Sequence, residues 1–171
     1  MKILFVCTGN IFRSMAAELC ARQYVREQKL GKFDFDSAGV LATRQRPHPM
    51  TIKTLHKLSI KKIEHRQKQL TEGLLRKQDI VIAMGRDHQD YIKRHFDLDV
   101  PLFNQVAHKK NEPVLDIHEQ LEDWKTNKEG VARHVEDTVR HIHRSMPAFF
   151  SGLEKGRAKV RQSKNTHKEK K

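Results

Sequence analysis

An apolar run, Ile3-Leu4-Phe5-Val6, delivers a cysteine at position 7, and a short loop then leads through Arg13-Ser14 into a helical pattern from about Met15. No other stretch restricts the fold as tightly. A strand that must turn into a helix within a few residues closes a loop over the helix N-terminus. Backbone N–H groups there lack partners, and the helix dipole presents its positive end, so the loop is a seat for an anion. Gly9 is expected to give this loop the backbone freedom to aim successive amides at one point. Arg13 can grip two phosphate oxygens with its planar fork, which a lysine cannot do. The same positive field favours the Cys7 thiolate, the form that attacks. These parts describe hydrolysis of a phosphate ester through a phosphocysteine.

The rest of the chain reads as alternating strands and helices. Lys2–Val6 and Ile80–Met84 are apolar throughout, as strands covered on both faces are. Phe33-Asp34-Phe35-Asp36 alternates, which suits a strand nearer an edge, and Val100–Phe103 is a short fourth candidate. Helical patterns fall at roughly 14–28, 48–58, 71–77 and 87–95, with Thr71 as an N-cap and Pro49 in a first turn. A final helix is marked by Val131, Val135, Val139, Ile142, Met146 and Phe149–Phe150, with a kink or turn expected at Pro147. Between Asn104 and Asn127 little periodicity is visible, the mark of a long functional or disordered loop. The order predicts a three-layer α/β fold: a four-stranded parallel sheet, helices on both faces, and the phosphate loop after the first strand. Ligands of such sheets bind beyond the carboxyl ends of the strands, where Cys7 stands.

The string Val6-Cys7-Thr8-Gly9-Asn10-Ile11-Phe12-Arg13-Ser14 behind an N-terminal strand resembles the low-molecular-weight protein tyrosine phosphatases. The resemblance continues through Ala17-Glu18, Ser37-Ala38-Gly39, His65-Arg66, Gln69-Leu70-Thr71, Asp79–Met84 and Val114-Leu115-Asp116, covering residues 1 to about 150. It implies that Cys7 is the nucleophile and that Thr8, Gly9, Asn10, Ile11, Phe12, Arg13 and Ser14 wrap the phosphate. It also implies that Asn10 holds the loop in shape with Ser37 and His65 bonded to it, and that Ser14 donates to the thiolate. Asp116 matches the acid/base aspartate that must protonate the leaving oxygen and later take a proton from water. The family usually has proline after that aspartate, whereas this chain has Ile117 and His118; Glu119, Glu122 and Asp123 are the neighbouring alternatives.

Two further departures bear on substrate and regulation. Phe12 stands where many members carry a second cysteine that traps the oxidised nucleophile, so Cys7 is expected to be more open to irreversible oxidation. The loop after Ser37, Gly39-Val40-Leu41-Ala42-Thr43-Arg44, lacks the Trp or Tyr that walls the phosphotyrosine slot in eukaryotic-type members. Ile11 points back toward an aromatic ester, since relatives that hydrolyse phosphoarginine carry threonine there. The leading expectation is a protein-tyrosine phosphatase, with a protein-arginine phosphatase or arsenate reductase as enzyme alternatives. Arsenate reduction needs further cysteines to relay a disulfide, and Cys20, nearly two turns into the helix, is poorly placed for it. The non-enzymatic alternative is a weakened phosphate-loop module that binds nucleic acid.

Composition sets the remaining bounds. A chain of 171 residues suits a single core. Two cysteines make no disulfide framework, and no apolar run reaches the length needed to span a bilayer, so a cytoplasmic location is expected; the resemblance implies phosphorylated protein substrates, and a monomer is expected. The net charge of +13 is uneven: residues 155–171 hold eight Lys or Arg against Glu169 alone. The expected division is therefore a phosphatase-like domain over 1–154 and a basic, disordered tail over 155–171, capable of weak contact with polyanions. Eleven histidines invite a metal, but none is spaced as helical ligands are, and His141 and His143 point to different faces. No metal and no cofactor are expected.

Overall fold

The computed structural model describes residues 1–156. The expected tail lies outside the described residues from position 157 onward. Three strands, β1 (Lys2–Cys7), β2 (Asp34–Gly39) and β3 (Ile80–Ala83), form a parallel sheet in the order β2-β1-β3. The central β1 is buried from Ile3 to Cys7, which is why it reads as an unbroken apolar run. Its register pairs Phe5 with Ser37 and Cys7 with Gly39 on one side, and Val6 with Ala83 on the other.

The expected fourth strand does not form. Leu102 makes an isolated parallel bridge to Ala83, whose N–H donates to Pro101 O at 3.0 Å. Pro101 has no N–H to return to a ladder, and the chain turns helical at Phe103. The sheet is instead lengthened at the other edge: Gly39 N–H donates to Lys68 O and Leu70 N–H to Gly39 O, both at 2.8 Å. That short pairing brings residues 65–68 beside the loop after β1.

Helices cover both faces. On one, α1 (Arg13–Glu27) and α2 (Pro49–Lys57) pack with α7 (Lys128–Arg144). Met15, Ala16, Leu19 and Cys20 there share a core with Phe5, Phe35, Val135, Val139 and Ile142. Cys20 is a small buried core residue, and burial pushes its thiol pKa up. On the other face, the short α3 (Glu72–Leu75) and α4 (Arg86–Phe96) cover Leu4, Val6 and Val81 with Leu75 and Ile92. Thr71 caps α3 by accepting from Leu74 N–H at 3.3 Å, and Pro49 occupies the first turn of α2.

The stretch from Asn104 to Asn127 carries two short helices, α5 (Phe103–His108) and α6 (Ile117–Gln120), each too brief to leave a readable period. After α7 the chain turns at Ser145 and resumes as a helical segment over 146–156, with Pro147 in its first turn, where a missing N–H costs nothing. That segment is described through Gly156. No helix of the described residues is long and apolar enough to cross a membrane.

Candidate active site

The loop from Cys7 to Phe12 bends around the cysteine. Ser14 Oγ lies 3.0 Å from Cys7 Sγ, and Asn10 N–H donates to the same sulfur at 3.3 Å. Cys7 is 3% exposed and sits at the carboxyl end of the central strand. No side chain caps the start of α1, so the first-turn N–H groups point into the loop unclaimed by a cap.

The residue in the left-handed region is Asn10, at φ 56°, while Gly9 keeps a negative φ. Asparagine tolerates that region better than other L residues, and here tertiary contacts hold it. Asn10 Nδ2 donates to Ser14 Oγ at 3.0 Å and to Ser37 Oγ at 2.8 Å. Its Oδ1 accepts from Lys68 N–H at 2.9 Å, and His65 Nε2 stands 2.8 Å from its backbone oxygen. Asn10, Ser14, Ser37 and His65 are thus brought together. The glycine with a positional requirement is Gly39. A Cβ there would stand 2.5 Å from Thr8 O and 3.0 Å from Asn10 N, so the strand end approaches the loop only without a side chain.

Several contributors went unassigned in the sequence reading. Glu18 is buried, accepts from Ser37 Oγ–H at 2.5 Å and lies 3.6 Å from His65 Nδ1. It anchors the second layer of the network. Its position one turn after Ser14 on α1 was the available signal. Gln67 Nε2 donates to Gly9 O at 2.5 Å, and Gln45 N–H donates to Gln67 Oε1 at 3.0 Å, tying both neighbouring loops to the phosphate loop. His88 on α4 is fully buried, with Nε2 3.0 Å from Thr8 Oγ1. Burial first, then the positive charge of Arg13, lowers its pKa from 6.5 to about 3, with Asp116 opposing. The ring is therefore neutral, and its Nδ1 has no hydrogen-bond partner among the described residues. Only the fold brings residue 88 to residue 8.

Arg13 is 2% exposed, and both terminal nitrogens of its fork have partners. Nη1 donates to Val114 O at 2.9 Å, while Nη2 donates to Thr8 Oγ1 at 3.3 Å and pairs with Asp116 Oδ2. Glu119 Oε2 lies 3.7 Å from Nη1. A buried guanidinium without such partners would be costly, and the two carboxylates supply them. Asp116 is the N-cap of α6, its Oδ1 accepting from Ile117 N–H at 2.8 Å while its own N–H donates to Glu119 Oε2 at 2.6 Å. This capping box holds the segment where the family's proline is missing. Glu122 and Asp123, the other fallbacks, make no contact with Arg13 among the described residues. Asp123 instead accepts from Asn127 Nδ2 at 3.0 Å. Phe12 is buried and meets the His134 ring edge-on, while His134 Nε2 lies 3.2 Å from Leu115 O, linking the two loops through α7.

Two exposed leucines lie in the segments that border the phosphate loop and Asp116. Leu41, exposed, follows Val40 and donates its N–H to Thr8 O at 2.9 Å; Leu115, also exposed, precedes Asp116. Two grooves of about 500 and 530 Å³ lie elsewhere, lined in part by Leu75, Ile80 and Phe96 or by Arg86 and Lys93, and neither includes Cys7. Among the described residues no group of three or more His, Cys, Asp or Glu could hold a metal ion.

A strand-borne cysteine in a loop at a helix head, with a buried arginine and an aspartate across from it, defines a cysteine-dependent phosphatase. The family of low molecular weight phosphotyrosine protein phosphatases matches residues 2–159, and the chain belongs to it. The low molecular weight protein-tyrosine-phosphatase PtpB of Staphylococcus aureus is 30% identical over 145 residues, which span 83% of this chain and 94% of that protein. The protein-arginine-phosphatase of Bacillus subtilis is 34% identical over 97 residues, 56% of this chain and 63% of that protein. Among solved structures, a low molecular weight protein tyrosine phosphatase from Bacillus subtilis superposes with a TM-score of 0.76 at 26% identity, covering 92% of this chain and 99% of that one. A YwlE arginine phosphatase variant with a phosphorylated active-site serine gives 0.77 at 25% identity, with the same coverage.

Proposed function

We propose that this protein dephosphorylates phosphotyrosine in proteins through a cysteinyl-phosphate on Cys7, in the cytoplasm, as a monomer and without a cofactor. The observation that carries the reading is the seating of Cys7 Sγ between Ser14 Oγ and Asn10 N–H, at the head of α1 and beside Arg13. In the first step the Cys7 thiolate attacks phosphorus, and the tyrosine oxygen leaves with a proton from Asp116. In the second, Asp116 takes a proton from water, water oxygen attacks phosphorus, and the Cys7–phosphorus bond breaks to return the thiolate and release phosphate. Ser14 stabilises that thiolate as it departs. Loop amides and Arg13 hold the equatorial oxygens, so catalysis is largely positioning and electrostatics. Phosphate has to compete with Asp116 for the fork of Arg13, and that exchange frees the carboxyl to face the leaving group.

The aromatic ester is supported by Ile11, an apolar side chain in the loop, and by the exposed Leu41 and Leu115 on either side of the site. A protein-arginine phosphatase is the second reading. Its specific support is that Asp116 and Glu119 already surround one guanidinium, that of Arg13, and paired carboxylates of this kind suit a substrate guanidinium as well. Hydrolysis of phosphotyrosine, phosphoserine and phosphoarginine peptides, with and without chelator, tests both. Phosphotyrosine should be turned over fastest and chelator should have no effect. Cys7→Ser should abolish turnover while keeping phosphate binding. A wild-type preference for phosphoarginine would select the second reading, and near-wild-type hydrolysis by Cys7→Ser would remove both.

A further inference from the structure

We infer that the face of the site formed by the 41–48 and 65–68 loops is a recognition surface for acidic side chains flanking the phosphorylated residue of a protein substrate. The inference rests on the phosphatase reading of Cys7 and names the class of substrate it takes. Gln45 and Gln67 are the side chains that brace Gly9 from outside. Gln67 Nε2 donates to Gly9 O at 2.5 Å, Gln45 Oε1 stands 3.9 Å from where a Gly9 Cβ would be, and the two residues are bonded to each other. The immediate chain neighbours of these glutamines are Arg44, Arg46 and Arg66, all exposed. Adjacent Cα atoms are about 3.8 Å apart, so the three arginines leave the chain directly beside the two residues that touch Gly9.

The nearby carboxylates are engaged elsewhere. Glu64 pairs with Lys62 at 2.9 Å, Asp36 with Lys68, and Glu18 with Arg22 at 2.9 Å. Arg44, Arg46 and Arg66 make no ion pair among the described residues. Three unpaired forks beside an anion seat offer bidentate contacts to carboxylates. The segment that supplies Asp116 is of the other sign: Asp116 and Glu119 face Arg13, and Glu122 and Asp123 follow. A substrate with acidic residues beside the phosphate is therefore steered to the arginine face and away from that segment.

The test compares phosphotyrosine peptides that differ only in flanking residues, Asp/Glu, Ala or Lys, with the full chain. A small aryl phosphate serves as the control for the chemistry. The acidic peptide should exceed the lysine peptide in kcat/KM by about tenfold at low salt, a ratio that shrinks as salt rises. Combined Arg44→Ala, Arg46→Ala and Arg66→Ala substitution should remove most of that preference through KM and leave the aryl phosphate rate within about twofold, because none of the three reaches the transferring phosphoryl group. Charge reversal at the same positions should invert the preference. Equal rates on the three peptides would overturn the inference, as would an undiminished preference in the triple variant. Either result can occur with aryl phosphate hydrolysis intact, whereas loss of that hydrolysis in the wild-type chain would count against the phosphatase reading itself.

Discussion

The backbone N–H of Ile117 donates to Asp116 Oδ1 at 2.8 Å, while the other oxygen of the same carboxylate pairs with the buried Arg13. A proline at 117, usual in relatives of this chain, has no N–H to give. The aspartate is held here by a helix cap and an ion pair in place of a rigid ring, and it shares its arginine with any phosphate that enters.

Asp116→Asn tests both halves of that arrangement. Esters with poor leaving groups should slow by about 10²–10⁴, and those with acidic phenols much less, because the latter depart without a full proton transfer. Inorganic phosphate should inhibit the variant at lower concentration than wild type, since Arg13 loses a charged competitor. Uniform slowing across leaving groups would shift the acid role to Glu119 or to none.

Arg13→Lys should lose most activity with the charge unchanged, because a point charge replaces a fork that reaches Val114 O, Thr8 and the phosphate together. Steady-state kinetics and a thermal melt on the same preparation separate lost chemistry from lost packing.

Gly39→Ala should destabilise the fold by about 1–3 kcal/mol and lower kcat, because the added methyl would meet the Thr8 carbonyl at 2.5 Å and push the phosphate loop off the strand. Asn10→Ala should cost about 2–3 kcal/mol. It leaves Lys68 N–H without its acceptor and keeps an alanine at φ 56°. Urea unfolding measures both, and a neutral result for either would contradict the close approach described.

His88 gives the stability a pH dependence. Its native pKa is depressed to about 3, while an unfolded histidine titrates near 6.5, so between these values the unfolded chain binds the extra proton. Stability from this group is complete above pH 6.5 and is lost as the pH falls toward 3, with a limiting slope of about 1.4 kcal/mol per pH unit. His48, His141 and His143 are also lowered, by burial first, and add to the wild-type slope. The readout is therefore the difference between wild type and His88→Gln in urea unfolding at pH 7.5, 6 and 5, where the variant should lose less stability on acidification. Parallel curves would show that His88 is not a buried neutral group.

Local chemistry made a large part of this protein legible before any coordinates. The strand into Cys7, the loop to Arg13, the helix behind it, the edge position of β2 and the cap at Thr71 all follow from residues close in sequence, where periodicity and capping act. The capping box Asp116–Glu119 that starts α6 is equally local, yet the sequence reading took this stretch as a loop. The tertiary structure decided what depends on residues far apart. It withheld the fourth strand at Pro101, put the left-handed turn on Asn10 instead of Gly9, and set His88 against Thr8, Glu18 against Ser37, and Val114 O against Arg13. Pro101 and the spacing of Glu18 from Ser14 were local hints, but the contacts of His88 and Val114 leave no trace in spacing, because a hydrogen bond across 80 or 101 residues is settled by how helices and sheet pack, and packing is a property of the whole core.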